Sequence, residues 1–297
     1  MSPTRDLPLP PVAHALDEDT LIACAEAEGI PVNLTETTLH MGWQNAVLET
    51  LDGWILRFPI SMNHDFAREL RVLEAMHDRL PAEIPLVQWT GTKTRFAAYR
   101  TLTGTPLDPT DYFAASASER DRISESMAAF LVQMHTSLTP TEIARLGIAT
   151  LTSAHLIDEV EKRWELVPAE YSQEVGALRD RFRERWVTSP SNEARLLHND
   201  FHLGNMLFDG RFGQLQAVWD FSCVEVGDPS YDLRYLFEDS FPLAVQISQH
   251  YEQLTGLQLD LSGAMLAGHF ESVSDALVEG RDLGKVLLKW SQLPAHI

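Results

Sequence analysis

The sequence predicts an α+β protein in two lobes, an antiparallel sheet followed by a mainly helical region. Three observations carry this. Residues 34–102 are written as short apolar runs broken by turn residues, which is a strand pattern. From residue 116 onward apolar residues recur at helical spacing. Within the helical part, Met206-Leu207-Phe208 and Leu215 to Trp219 flank Asp209-Gly210 and Gly213, the signal of one isolated hairpin. At 297 residues the chain is long enough for both lobes. The expected division is 1–102 and 103–297.

The elements follow in order. Residues 1–15 read as a loose leader. Leu16 to Gly29 reads as a helix, with Asp17 and acids at its start and Gly29 as its stop. Ala46 to Glu49 and Trp54 to Pro59 are partner strands joined through Asp52-Gly53, a hairpin-turn pair. Phe66 to Leu80 is expected as one amphipathic helix with Leu70, Leu73, Met76 and Leu80 on its apolar face. Phe96 to Tyr99 is a further strand. Ser116 and Glu119 form a capping box ahead of a stripe of Ile123, Met127, Phe130, Leu131 and Met134. Helical blocks are then expected over 154–186, 242–254 and 262–290.

Composition narrows the function. The net charge is −20, from 23 basic against 43 acidic residues. Such a chain repels nucleic acid and anionic membranes, and suits a cationic partner. No apolar run approaches the ~18 residues of a membrane span. Met1 to Ala13 lacks the basic start and apolar centre of a signal peptide. Cys24 and Cys223 stand far apart and make no disulfide framework. A cytoplasmic monomer is the expectation.

The chemistry lies in His198-Asn199-Asp200-Phe201-His202-Leu203-Gly204-Asn205 and in Trp219-Asp220-Phe221. Asn205 stands just before the first hairpin strand and Asp220 just after the second, so the hairpin brings both to one end. Magnesium takes oxygen ligands, few from protein and the rest from water and phosphate, and one Asn with one Asp suits that role. Asp200, on the loop entering the hairpin, is placed to accept a hydroxyl proton. One proton acceptor beside two metal-holding oxygens is what phosphoryl transfer requires. His198 is expected to brace the loop, and His202 has no assigned role. A zinc site of His198, Asp200 and His202 is the alternative, but it leaves Asn205 and Asp220 idle.

These residues resemble the aminoglycoside phosphotransferase family, relatives of the protein kinases. Leu197 to Phe201 with Asn205 to Phe208 resembles its catalytic loop. Asp220-Phe221-Ser222 stands where kinases carry Asp-Phe-Gly, and Gly227 to Leu233 resembles the following Gly-Asp-Pro segment. The 2″-O-phosphotransferases of aminoglycosides look closest, through His-Asn-Asp-Phe and Tyr235-Leu236-Phe237-Glu238-Asp239, with macrolide kinases next. The resemblance spans residues 34–290 and is most specific in the second lobe. It implies a two-lobed protein-kinase-like fold, a nucleotide-binding first lobe, ATP or GTP as phosphate donor with Mg2+, and a cationic antibiotic as acceptor.

The first lobe departs from the kinase pattern. It has no G-x-G-x-x-G, and Met41-Gly42-Trp43-Gln44-Asn45 is the candidate nucleotide loop. Arg57 occupies the place of the strand Lys that grips phosphates, with Glu69 as its helix partner. Tyr99, Arg100 and Leu102 fall at the implied hinge, where backbone groups of residues 100–102 would meet the purine edge. For the acceptor, Glu238 and Asp239 are expected to begin a helix. Glu271, Asp275 and Glu279 recur at i, i+4 and i+8, where like charges repel by a few tenths of a kcal/mol per pair unless a cation offsets them. Trp43 and Trp290 could cover a sugar ring, though core packing is the commoner task of such residues. Two rival functions remain: a macrolide or small-metabolite kinase (choline, homoserine or sugar type), and a non-catalytic kinase-like nucleotide-binding module.

Overall fold

The computed structural model describes residues 10–42, 44–60, 66–188 and 194–294. Trp43 lies outside the described residues. Two compact units are present, one of Met1–Asp78 with Glu83–Thr103 and one of Arg79–Ala82 with Gly104–Ile297.

The first unit is built on β1 (Thr37–Met41), β2 (Asn45–Thr50), β3 (Trp54–Pro59), β4 (Trp89–Thr90) and β5 (Ala97–Arg100), in the order β1-β2-β3-β5-β4, with every pairing antiparallel. Strand periodicity explains its two faces. Trp54, Leu56 and Phe58 point into a core shared with Ala46, Leu48, Phe96 and Ala98, closed by Leu21 and Ala25 of helix α1 (Glu18–Glu28). Asp17 caps α1 and Gly29 ends it, as the sequence suggests. Arg57 projects from the alternate face.

Helix α2 (Phe66–Met76) stops four residues short of the expected Leu80. Pro81 disfavours helical geometry in the residue before it, which argues against extension to Leu80. Its buried face carries Phe66, Glu69, Val72, Leu73 and Met76, so Glu69 is inside and Leu70 is not fully so.

The main stretch of the second unit begins at Gly104, whose φ of 138° and close approach to Leu207 (2.7 Å for an added Cβ) admit glycine alone. Thr105 then exchanges backbone hydrogen bonds with Phe208. Helices α3 (Pro109–Ala114), α4 (Ala117–Thr136) and α5 (Pro140–Leu146) follow. The Ser116–Glu119 capping box is present, and all five residues of the predicted α4 stripe are buried.

The expected helix over 154–186 is broken. It forms α6 (Ala154–Lys162), a short 3-10 turn at Trp164–Leu166, α7 (Ser172–Phe182) and a π-helical turn at Arg183–Thr188. Pro168 cannot continue the hydrogen-bond ladder and falls in the gap. Then come β6 (Arg195–Leu197), the predicted hairpin β7 (Met206–Phe208) and β8 (Leu215–Val218), and β9 (Glu225–Gly227), which pairs with β6. The strands β6 and β9 carry no sequence signal of their own.

Helix α8 (Leu236–Asp239) ends with Glu238 and Asp239 rather than starting there, because Ser240 caps α9 (Phe241–Thr255). The helix expected over 262–290 is two, α10 (Leu261–Glu279) and α11 (Leu283–Ser291). Gly280, at φ 70°, terminates the first and Asp282 caps the second. Helices α6, α7, α10 and α11 enclose a core of Val160, Val175, Phe182, Phe270, Val273 and Leu287.

Candidate active site

The hairpin does what its sequence promises. Met206 pairs with Val218, and the Trp219 N–H donates to the Asn205 carbonyl at 3.2 Å. Asn205 is thereby fixed beside the residue preceding Asp220. The Asn205 amide nitrogen donates to the Asp200 carboxylate (2.8 Å) and to its backbone carbonyl (3.0 Å). Because the amide is planar, this leaves its oxygen as the atom available to a cation. Asp220 accepts on one oxygen from the Ser222 hydroxyl (2.6 Å) and backbone. Its other oxygen completes a hard donor pair, so these residues fit magnesium. Asn199 (φ 63°) and Asp220 (φ 60°) are the non-glycine residues held in left-handed geometry among those described. That conformation is uncommon outside glycine and clusters at functional sites.

His198 is fully buried, and both its ring nitrogens are engaged. Nε2–H donates to the Trp219 carbonyl (3.0 Å) and Nδ1 accepts from the Asp200 N–H (3.3 Å). Burial pushes its pKa down against the pull of nearby carboxylates, so it is neutral. It braces the loop at both ends and has no nitrogen left for the alternative zinc site. Asp200 is pushed up by burial, but His202, His198 and the Asn205 amide outweigh this and hold it below the usual carboxylate range. It is therefore ionised near neutrality and able to receive a proton. His202, pushed down by burial, is raised overall by the Asp200 carboxylate at 3.6 Å.

The loop is anchored from behind by Asp232. This wholly buried carboxylate accepts from the His198 N–H (3.0 Å), the Asn199 N–H (2.6 Å) and His135 Nε2 (3.0 Å). Burial raises its pKa, yet His135, His198 and the Asn199 N–H lower it further. Asp232 falls within the Gly227 to Leu233 segment that the sequence singles out, whereas His135, some hundred residues earlier, carries no signal there.

In the first unit, Arg57 (7% exposed) meets Glu69 (2% exposed) at 2.6 Å, with the guanidinium over the Phe66 ring at 5.5 Å. Gly42 lies in the β1–β2 turn, its N–H bound to the Asn45 carbonyl. Tyr99 and Arg100 end β5; Arg100 caps the Asp52 carbonyl and lies over Trp54 at 3.9 Å. The Thr101 N–H is spent on the Gly53 carbonyl, so of the expected hinge positions Thr101 is not an open donor. Leu102 is half-buried beyond it.

The expected acceptor carboxylates have internal partners. Glu271 receives Arg234 Nε (2.5 Å) and the Tyr235 hydroxyl (2.6 Å). Glu238 meets Lys289 (3.1 Å) and the Ser272 hydroxyl, and Asp239 accepts the Leu203 N–H (2.9 Å). Burial raises Asp239 above its ordinary value. Among the described residues, Asp275 has only Arg281, at 3.8 Å, and burial followed by the Glu271 charge pushes it up to about 6. Glu279 pairs with Arg281 at 2.7 Å. Trp290 is 6% exposed and stacks on His269 at 5.2 Å, so it serves as packing. Arg234 escaped sequence reasoning. Its signal was a lone cation inside the otherwise apolar run from Tyr231 to Phe237, apart from Asp232.

Residues 35–267 match the family model described as "Phosphotransferase enzyme family". Among solved structures, the chain is similar to a GDP complex of an aminoglycoside 2'-phosphotransferase IIIa variant, with TM-score 0.78 and 19% identity, covering 93% of this chain and 97% of that one. A GDP and kanamycin complex of an aminoglycoside 2″-phosphotransferase gives TM-score 0.77 and 18% identity, over 92% and 97% of the two chains. A macrolide 2'-phosphotransferase from Brachybacterium faecium gives 0.63 and 19%, over 95% and 100%. The fold is the kinase-like one that these proteins share.

Proposed function

We propose that this chain, which belongs to the phosphotransferase enzyme family, moves the γ-phosphate of ATP or GTP to a hydroxyl of a small cationic antibiotic, an aminoglycoside first. The observation that carries this is the bonded set of Asp200, Asn205 and Asp220: an ionised carboxylate held by the amide of one oxygen ligand, with the second ligand at the same hairpin end. Asp200 orients the acceptor hydroxyl and takes its proton as the oxygen attacks phosphorus. Asn205 and Asp220 would hold Mg2+, which when bound neutralises phosphate charge. Arg57, oriented by Glu69, would grip the α- and β-phosphates, with the Gly42 turn over them and Tyr99, Arg100 and Leu102 at the base. Little covalent chemistry falls to the protein, so positioning and charge stabilisation make up most of the catalysis. Glu238, Asp239, Glu271 and Asp275 are the proposed acceptor side.

A macrolide acceptor is the second reading. It is favoured by the pairing of Glu238 with Lys289 and of Glu271 with Arg234, which leaves less free negative charge than a polyamine would use. A transfer panel of ATP and GTP against kanamycin, gentamicin and a macrolide separates the two. Asp200→Asn should keep nucleotide binding and lose about 10²–10⁴-fold in kcat. Near-normal turnover in that variant would remove Asp200 as the base. Nucleotide binding without product on any acceptor would point instead to a non-catalytic module.

A further inference from the structure

Arg234 is 3% exposed, and its guanidinium is divided between two elements. Nε meets Glu271 on α10, while Nη2 donates to the Asn199 carbonyl at 2.8 Å. The fork is stacked between Tyr231 (4.4 Å) and Tyr235 (4.0 Å). Glu271 is held as tightly: one oxygen takes Arg234 and the other the Tyr235 hydroxyl. The Asn199 carbonyl belongs to the peptide that joins Asn199 to Asp200. On the other side of Asn199 its N–H is fixed by Asp232, and its amide nitrogen is fixed by the Cys223 carbonyl and Glu225 (3.0 Å each). A residue at φ 63° needs such over-determination to stay there. The peptide plane leading into Asp200 is held at both edges, by Arg234 on its carbonyl at 2.8 Å and, less closely, by His198 Nδ1 on its N–H at 3.3 Å.

We infer that Glu271 is a positioning residue, acting through Arg234 on the Asn199–Asp200 peptide, so that α10 sets the orientation of the catalytic carboxylate. This rests on the reading of Asp200 as the base. It gives Glu271 work inside the protein, where its sequence suggested only an acidic face for a cation. The arrangement needs arginine: a lysine ammonium lacks the planar fork that reaches a carboxylate and a carbonyl at fixed angles. Asp275 lies one turn further along α10, and its charge is felt with that of Glu271. A cation arriving there acts on the same helix that holds the loop.

The test compares wild type, Glu271→Gln, Arg234→Lys, the apolar pair Arg234→Met with Glu271→Leu, and Asp275→Asn as control. Hydrogen exchange of the peptide spanning 198–205, measured by mass spectrometry on the free protein, reads the loop without reference to activity. Exchange there should rise about tenfold or more in Arg234→Lys and in the apolar pair, as expected for a lost charged hydrogen bond, and less in Glu271→Gln. Exchange in α7 and α4 and in the Asp275→Asn control should stay at wild-type level. With kanamycin and ATP or GTP, kcat should fall while the nucleotide KM holds. The apolar pair keeps the fold guarded, since swapping a buried ion pair for packed apolar groups preserves stability. Unchanged loop exchange in Arg234→Lys, or full kcat in the apolar pair, would overturn the inference. If wild type transfers phosphate to no acceptor, the functional reading fails, and the exchange result still decides the coupling.

Discussion

Replacing Asp232 by Asn should cost about 3–5 kcal/mol of folding stability, the usual penalty for breaking a buried charged cluster from one side. The structure shows why so small a change is so expensive. Asp232 accepts three hydrogen bonds in full burial, from two successive loop N–H groups and His135. Each is charge-assisted, worth about 1.5–3 kcal/mol. Asparagine has one acceptor oxygen, and in either orientation its NH2 would face a loop N–H, that of Asn199 or that of His198. At least one buried donor is left without a partner. The pH dependence follows in sign. The folded carboxyl lies below its ordinary value of 3.8, so the unfolded chain binds the proton first as pH falls. The stability it provides is complete above about pH 4 to 5 and is lost as pH drops through the folded pKa. Urea unfolding of both proteins between about pH 2 and 7 measures this. Asp232→Asn should lie well below wild type at neutral pH and converge toward it in acid. A variant within about 1 kcal/mol of wild type at neutral pH would refute the clamp.

Three further outcomes are expected. Arg57→Met should lose about 3–5 kcal/mol by removing the cation paired with the buried Glu69 carboxylate, and adding Glu69→Leu should recover most of it. A thermal melt of both variants checks this, and a single variant as stable as wild type would deny the pair its role. His269 is driven down to about 4, by burial first and then by Arg181. A histidine with a lowered folded pKa gives stability that is full above its ordinary value of 6.5 and falls as pH drops toward 4, here by up to about 3 kcal/mol. His269→Phe keeps a ring against Trp290 and should flatten that acid limb in urea titrations. Asp275 runs the other way. Its folded value near 6 exceeds the unfolded one, so it penalises the fold as pH rises from about 4 to 6, and Asp275→Asn should relieve this.

Local features were legible in the sequence and long-range ones were not. The hairpin of residues 206–218 could be read because two short apolar runs and a Gly turn lie within one stretch, and its closure fixes Asn205 near Asp220. The Ser116 capping box and the strand at Trp54–Pro59 are equally local. The strands at 195–197 and 225–227 are three residues each and pair across some thirty residues, too short to show a period. The helix at 262–290 hid its break because Gly280 inside an apolar pattern reads as tolerated until its backbone is seen to be left-handed.

The proposed acceptor residues show the same division. Sequence counts the carboxylates at 238, 239, 271 and 275 correctly as charges. It does not show that Lys289, the Leu203 N–H and Arg234 already engage three of them, because those partners come from 36 to 51 positions away. Among the described residues, a cation recruited here must displace a basic partner at Glu238 or Glu271, or use the Asp239 oxygen that Leu203 leaves open or Asp275, whose basic neighbour Arg281 stands at 3.8 Å. Displacing Arg234 from Glu271 would free the loop before Asp200, so it carries a catalytic cost. Asp275 carries none, and must ionise to serve. The KM of kanamycin should therefore rise as pH falls below about 6 and lose that dependence in Asp275→Asn. A KM that stays flat with pH in wild type would show that the acceptor's charge is read elsewhere.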